Sequence, residues 1–260
     1  MARTTAILNL KGGVAKTTTA INMAAILAKD YQSRVLLIDA DSQCNSTEFF
    51  GCLGAQDTMA TLLRSARYYD NACDKLVLPI SKTGFDGVDM IPGDETLMDM
   101  DLSAAAQGTV DTNVLRALIE VAGDKYDYVL IDCPPAFNAA SAAALIAADD
   151  VIIPIKLDAF SMRGMVNLMR QIKNMKRINP RLKVSGILPT MWYRDPQILE
   201  AEQQLRAAGL RVFHHIRTSR KVDKMTFQQE ALLISSPNSA AGVDYRRFVK
   251  QYVGGVKNGL

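Results

Sequence analysis

The chain has 260 residues, 48% of them hydrophobic, a composition that excludes disorder and fibrous repeats and suffices for a core without metal or disulfide. Its longest uncharged stretch, Cys133 to Ala148, falls short of the ~20 apolar residues of a membrane span, the run from Met1 into the apolar stretch at Ala6 does not show the pattern expected of a secretory signal, and Cys44, Cys52, Cys73 and Cys133 lack disulfide or zinc spacing. The net charge of +3 is unevenly spread: residues 1–150 carry 11 Lys+Arg against 20 Asp+Glu, a balance of −9, and residues 151–260 carry 19 against 7, a balance of +12 that suits an anionic partner.

In chain order, Thr4 to Leu10 reads as a buried strand that ends in the loop Asn9 to Thr19, and Thr18 to Lys29 reads as the helix after it. Gly12 and Gly13 let backbone N–H groups close around phosphate oxygens, and the helix N-terminus adds partial positive charge. Lys16 is placed to grip the β- and γ-phosphates, and by resemblance to the corresponding positions of P-loop proteins Thr17 is expected to offer a hydroxyl to Mg²⁺ and Thr18 to donate to the α-phosphate. The generic pattern GxxxxGK[ST] fails, because Leu10 and Ala15 stand at its glycine positions. What fits is KGGxxK[ST], which adds an early lysine, Lys11.

Strands follow at Val35 to Ile38, running into Asp39-Ala40-Asp41-Ser42-Gln43, at Val88 to Ile91, and at Tyr128 to Ile131, running into Asp132-Cys133-Pro134-Pro135. Further strands are expected at Val151 to Ile155, Val184 to Leu188 and Val212 to Ile216. Helices are expected at Val110 to Val121, Ser141 to Ala148, Met162 to Ile178 and Ile198 to Ala208, with a last helix after Ser239 that Gly254-Gly255 ends. The alternation predicts an α/β fold: one doubly wound, mostly parallel sheet with helices on both faces. Without linkers or repeats, residues 1–260 read as a single domain. Met162, Met165, Met169 and Met175 suit a core or subunit contact, and adjacent His214 and His215 suit neither a metal site nor a catalytic pair.

On Lys11 to Thr17, the Asp39–Gln43 segment as a DxDxQ signature, and the strand ending in Asp132, the sequence resembles the ParA/MinD group of deviant Walker A ATPases. Ile91-Pro92-Gly93 and Val151 to Pro154 extend the likeness over nearly the whole chain. The resemblance implies a P-loop NTPase that binds ATP and Mg²⁺ through Lys11, Gly12, Gly13, Val14, Ala15, Lys16, Thr17 and Thr18. Thr17, Asp39 and Asp132 then surround the metal, Lys11 reaches across a nucleotide-sandwich homodimer, and Asp41 positions the attacking water, so that Lys11, Lys16 and Asp41 are the catalytic set. Adenine is expected between Thr190-Met191 and Pro237. Ser42 and Cys44 stand where the family has Pro and Gly.

Arg217, Arg220, Lys221 and Lys224 form a basic cluster expected away from the phosphates, and Arg246, Arg247 and Lys250 follow on the last helix. In ParA-like proteins this region contacts DNA without reading sequence, which suits Lys and Arg against phosphates. The expectation is a cytoplasmic, nucleoid-associated ATPase of weak basal activity that dimerises on ATP and binds nonspecific DNA. It would move plasmid, chromosome or other cargo with a hydrolysis-stimulating, ParB-like centromere-binding partner. Two alternatives stand beside it. One is a MinD-like membrane-cycling ATPase, prompted by the amphipathic run Tyr245 to Val253, although stable membrane association is not expected. The other is a nucleotide-gated DNA-binding switch with negligible hydrolysis, prompted by Ala15.

Overall fold

A computed structural model describes residues 2–64 and 78–257; Cys73 lies outside them. The strands are β1 Arg3–Ile7, β2 Val35–Asp39, β3 Ser81–Lys82, β4 Val88–Ile91, β5 Tyr128–Asp132, β6 Asp150–Lys156 and β7 Lys183–Thr190. They form one sheet in the order β3-β4-β2-β5-β1-β6-β7, parallel throughout except for the two-residue edge strand β3. The inner strands are covered on both faces, so their apolar runs leave no polar alternation.

The helices are α1 Lys16–Asp30, α2 Asn45–Phe49, α3 Met59–Arg64, α4 Leu102–Ala106, α5 Val114–Ala122, α6 Ala139–Ala147, α7 Ala159–Met175, α8 Pro196–Ala207, α9 Arg220–Gln228, α10 Leu232–Ser235 and α11 Ala240–Lys257. Two apolar clusters sandwich the sheet. Residues of α5, α6 and α7 fill one, with Leu115, Leu145 and Leu168 nearly inaccessible; residues of α1, α9, α10 and α11 fill the other, with Ile26, Met225, Leu232 and Phe248. Each such side chain contributes roughly 1.5–3 kcal/mol by leaving water. Of the methionines on α7, Met165 and Met175 are buried, and Met162 and Met169 pack partly against the same cluster.

Two expected features differ in the structure. Val212 to Ile216 forms no strand: it runs beside β7 through single bridges, Ile187 to Val212 and Trp192 to Arg217. Pro189 in β7 has no N–H to give, so the ladder breaks there, although its carbonyl still accepts from Ile216 N at 2.8 Å. Nor does Gly254-Gly255 end α11, which continues to Lys257. A Cβ on Gly255 would lie 2.4 Å from the Arg211 guanidinium, which donates to Gln251 O at 2.8 Å. That glycine admits a close neighbour instead of stopping the helix.

Candidate nucleotide site

The carboxyl ends of β1, β2, β5 and β7 converge at one edge of the sheet, where a doubly wound fold binds ligands. The loop between β1 and α1 turns into the helix at Ala15, whose φ of 65° lies in the left-handed region. Gly13, at φ 68°, shares it. The first turn of α1 has neither a side-chain cap nor an acidic residue, so its N–H groups and dipole remain available to an anion. Thr17 and Thr18 stand in that turn.

The two loop lysines have separate surroundings. Lys16 is 7% exposed and its Nζ donates to Lys11 O at 3.2 Å. Burial lowers its pKa, opposed by the nearby Asp132 and Asp41 carboxylates. Lys11 points away: its Nζ donates to Asp158 Oδ1 and Oδ2 at 3.0 and 2.8 Å and to Ser161 Oγ at 2.8 Å. Asp158 caps α7, accepting from Ser161 N at 2.8 Å. Partial burial works against its ionisation, yet the hydrogen bonds from Lys11 and Ser161 hold its pKa down at about 2.

Asp39 and Asp132 are register partners on β2 and β5, and both are buried. Asp39 Oδ2 accepts from Thr47 N at 2.9 Å and Thr47 Oγ1 at 2.7 Å, and Oδ1 from Asp41 N at 3.1 Å, so both its oxygens are committed to shaping the loop into α2. Gly93 packs beneath this turn, where a Cβ would lie 3.0 Å from Asp39 O. Asp132 Oδ2 accepts from Ser46 at 3.2 Å, while Oδ1 is buried without a hydrogen-bond partner among the described residues. Burial, then the neighbouring Asp39, pushes the Asp132 pKa well up. An orphaned carboxylate oxygen of this kind fits a cation or a cation-bound water. Among the described residues no three His, Cys, Asp or Glu side chains form a metal cage. Cys44 begins α2 at φ 54°, and burial, then Asp39, pushes its thiol up to about 12. Cys133 is buried and its thiol is likewise raised, so neither is an activated nucleophile.

A cavity of about 600 Å³ opens over the loop. Gly12, Gly13, Ala15, Lys16, Thr17 and Thr18 form its floor, with Asp41 to one side and Thr190 and Met191 to another. Lys11 and Val14 are not in its wall; Val14 O accepts from Thr190 Oγ1 at 3.1 Å, tying the loop to β7. Pro237, expected beside adenine, lies outside the cavity, because its turn is folded under α11 and its carbonyl accepts from Arg246 at 3.3 Å. The opposing wall is Ile216 to Arg220 with Val222, Asp223, Thr226 and Tyr245.

That wall corrects the expected separation of basic cluster and phosphates, since Arg217 and Arg220 face the same cavity as Lys16. Arg217 is also committed to the buried Asp244, with Nε to Oδ2 at 2.7 Å and a second nitrogen to Oδ1 at 2.9 Å; His214 shares that carboxylate at 3.1 Å. Arg246 pairs with Asp30 at 2.9 Å. Lys221 and Lys224 on α9 and Arg247 and Lys250 on α11 are exposed. His215 stacks on Trp192 at 3.7 Å. The sequence reading missed Thr47, Asp158, Ser161 and Asp244, whose partners lie 8, 147, 150 and 27 residues away.

An AAA domain family model matches residues 2–184. The chromosome partitioning protein ParA of Caulobacter vibrioides is 38% identical over 200 residues, 76% of this chain and 73% of that one. The chromosome-partitioning ATPase Soj of Thermus thermophilus is 33% identical over 262 residues, 98% of this chain and 97% of that one. The chain belongs to the ParA/Soj family of ATPases. This is a family of chromosome-partitioning ATPases on the P-loop fold. Among solved structures, cobyrinic acid a,c-diamide synthase of Mycobacterium smegmatis, with a bound ATP analog and magnesium, superposes with a TM-score of 0.80 at 26% identity, covering 100% of this chain and 98% of that one. No helix among the described residues is long and apolar enough to cross a membrane.

Proposed function

We propose that the chain is a Mg²⁺-dependent partition ATPase of weak basal activity that pairs with a second copy on binding ATP, associates with nonspecific DNA, and is driven to hydrolyse by a ParB-like partner. The observation that carries this reading is the division of labour between Lys16, buried in the cavity floor, and Lys11, held outside it by Asp158 and Ser161. A lysine that only served its own chain's phosphates would have reason to face the cavity.

Lys16 and the N–H groups of the loop and first turn of α1 hold the phosphate chain, and Thr17 with Asp132 holds the metal side. Bound Mg²⁺ supplies charge neutralisation at the phosphates. Asp41, buried at the cavity edge and oriented by its contact with Gln43 N at 3.1 Å, accepts a hydrogen bond from the attacking water. Lys11 leaves Asp158 and adds its charge to the phosphates of a second copy, where negative charge grows. The apolar side chains of α11, Phe248, Val249, Tyr252 and Val253, are packed in the core and offer no face to a bilayer. The test is sedimentation of Lys11→Ala with ATP. We expect nucleotide binding to persist and pairing to disappear; pairing at the parent's ATP concentration would refute the assignment.

A further inference from the structure

Between Asp158 and Asp195 the chain carries eight Lys and Arg and no Asp or Glu, so this segment supplies most of the basic excess of residues 151–260. Much of it is α7. That helix turns Met165, Leu168, Ile172 and Met175 into the core and leaves Arg163, Arg170 and Lys173 exposed, with Lys176 and Arg177 exposed in the turn that follows. Arg163 and Arg170, seven residues apart, share one side, and Arg177 extends the row. The row spans about 20 Å at the helical rise.

Among the described residues none of these five side chains meets a carboxylate. Arg170 reaches only Asn167 at 2.8 Å on its own helix, and Arg163 only Ala159 O at 3.3 Å while lying over the Phe160 ring. Lys173, Lys176 and Arg177 make no side-chain hydrogen bond or ion pair among the described residues. Like charges three and four residues apart repel, and no carboxylate among the described residues offsets them. The C-terminal cluster differs, with Arg217 committed to Asp244 and Arg246 to Asp30. The two surfaces also lie on opposite sides of the sheet, since α7 packs in one apolar cluster and α9 and α11 in the other.

We propose that the outer face of α7 and the turn after it form a second contact surface for the phosphate backbone of duplex DNA, separate from α9. It rests on the DNA-binding part of the function proposed above. A duplex presents about one charge per 1.7 Å, so a 20 Å row of uncompensated cations meets a dense counter-charge. Asn167 and Asn174, exposed beside the arginines, add amide donors suited to phosphate oxygens. A membrane is the poorer fit: insertion needs a continuous apolar face, and α7 keeps Met165, Leu168, Ile172 and Met175 in the core while Phe160 and Val166 are exposed singly between charged and polar residues.

The experiment compares the full chain with Arg170→Glu/Lys173→Glu/Arg177→Glu, with Lys221→Glu/Lys224→Glu, and with Arg170→Lys/Arg177→Lys. Affinity for two unrelated duplexes is measured with ATP over a range of salt, alongside binding of a fluorescent ATP analogue. We expect the triple variant to bind the analogue like the parent, to lose on the order of tenfold or more in affinity for both duplexes, and to flatten the log–log salt slope by about 2–3. The lysine variant should keep the parent's affinity within about threefold, because a point charge suffices against phosphate. A triple variant with the parent's affinity and salt slope overturns the proposal alone. A parent that binds neither duplex overturns it together with the DNA-binding reading. A triple variant that keeps duplex binding but loses binding to anionic phosphatidylserine vesicles overturns it in favour of a membrane.

Discussion

Lys16 and Lys11 are five residues apart on one loop, and they differ in what satisfies them. Lys16 is buried with a single carbonyl as its direct acceptor, its pKa lowered by that burial, and it gains most from an incoming anion. Lys11 is already matched to a carboxylate and a hydroxyl at a position about a third exposed. A pair so placed contributes about 1 kcal/mol or less, which a phosphate chain bearing several charges can outbid. The same residue type thus serves as a fixed anchor in one place and an exchangeable one in the other.

Removing the anchor should break the comparison most severely. Lys16→Ala is expected to weaken ATP by on the order of 100-fold, the loss of about two charge-assisted hydrogen bonds, in a fluorescent-nucleotide titration; pairing and hydrolysis should go with it. Asp41→Ala leaves both lysines in place and should separate holding from turnover. Nucleotide binding and ATP-dependent pairing should be retained while phosphate release in the presence of DNA and partner falls about 100-fold. Unchanged release would remove Asp41 from the mechanism.

The exchangeable lysine can be sharpened through its partner. Asp158→Asn should let Lys11 go and lower the ATP concentration for pairing by up to about fivefold, read by sedimentation. The same variant gives a pH test. Because the folded-state pKa of Asp158 is depressed from 3.8 to about 2, its contribution is present in full above the ordinary value and is lost as pH falls through about 2. The stability gap between parent and Asp158→Asn should therefore shrink over that interval, measured by thermal unfolding. The smallest effect is expected at Ala15, between the two lysines. Relief of its left-handed φ exceeds the added chain entropy of glycine, so Ala15→Gly should raise stability by about 0.5–1 kcal/mol in urea unfolding.

The parallel strands were legible because burial on both faces writes itself as an apolar run: Val35 to Ile38 and Tyr128 to Ile131 lie where expected. The loop was legible because its chemistry is contiguous, from Lys11 to Thr18. What sequence could not display was pairing over distance. Nothing near Lys11 announces Asp158, and nothing near Arg217 announces Asp244, yet these carboxylates decide which cations are free. The intermittent bridges of residues 212–217 also defeated reading by alternation, since the break depends on Pro189 in a neighbouring strand. Pro237 lies outside the cavity for a similar reason: its turn serves α11.

Ala15 and Cys44 both hold left-handed backbone angles, φ 65° and 54°, at positions where the sequence pattern leads one to look for glycine. The glycine letters in such a pattern are a proxy for a dihedral angle, and a side chain can stand there at a cost of about 1–2 kcal/mol. A signature spelled in residue types will pass over chains that keep the bend and change the letter. One spelled in backbone angles would recover them.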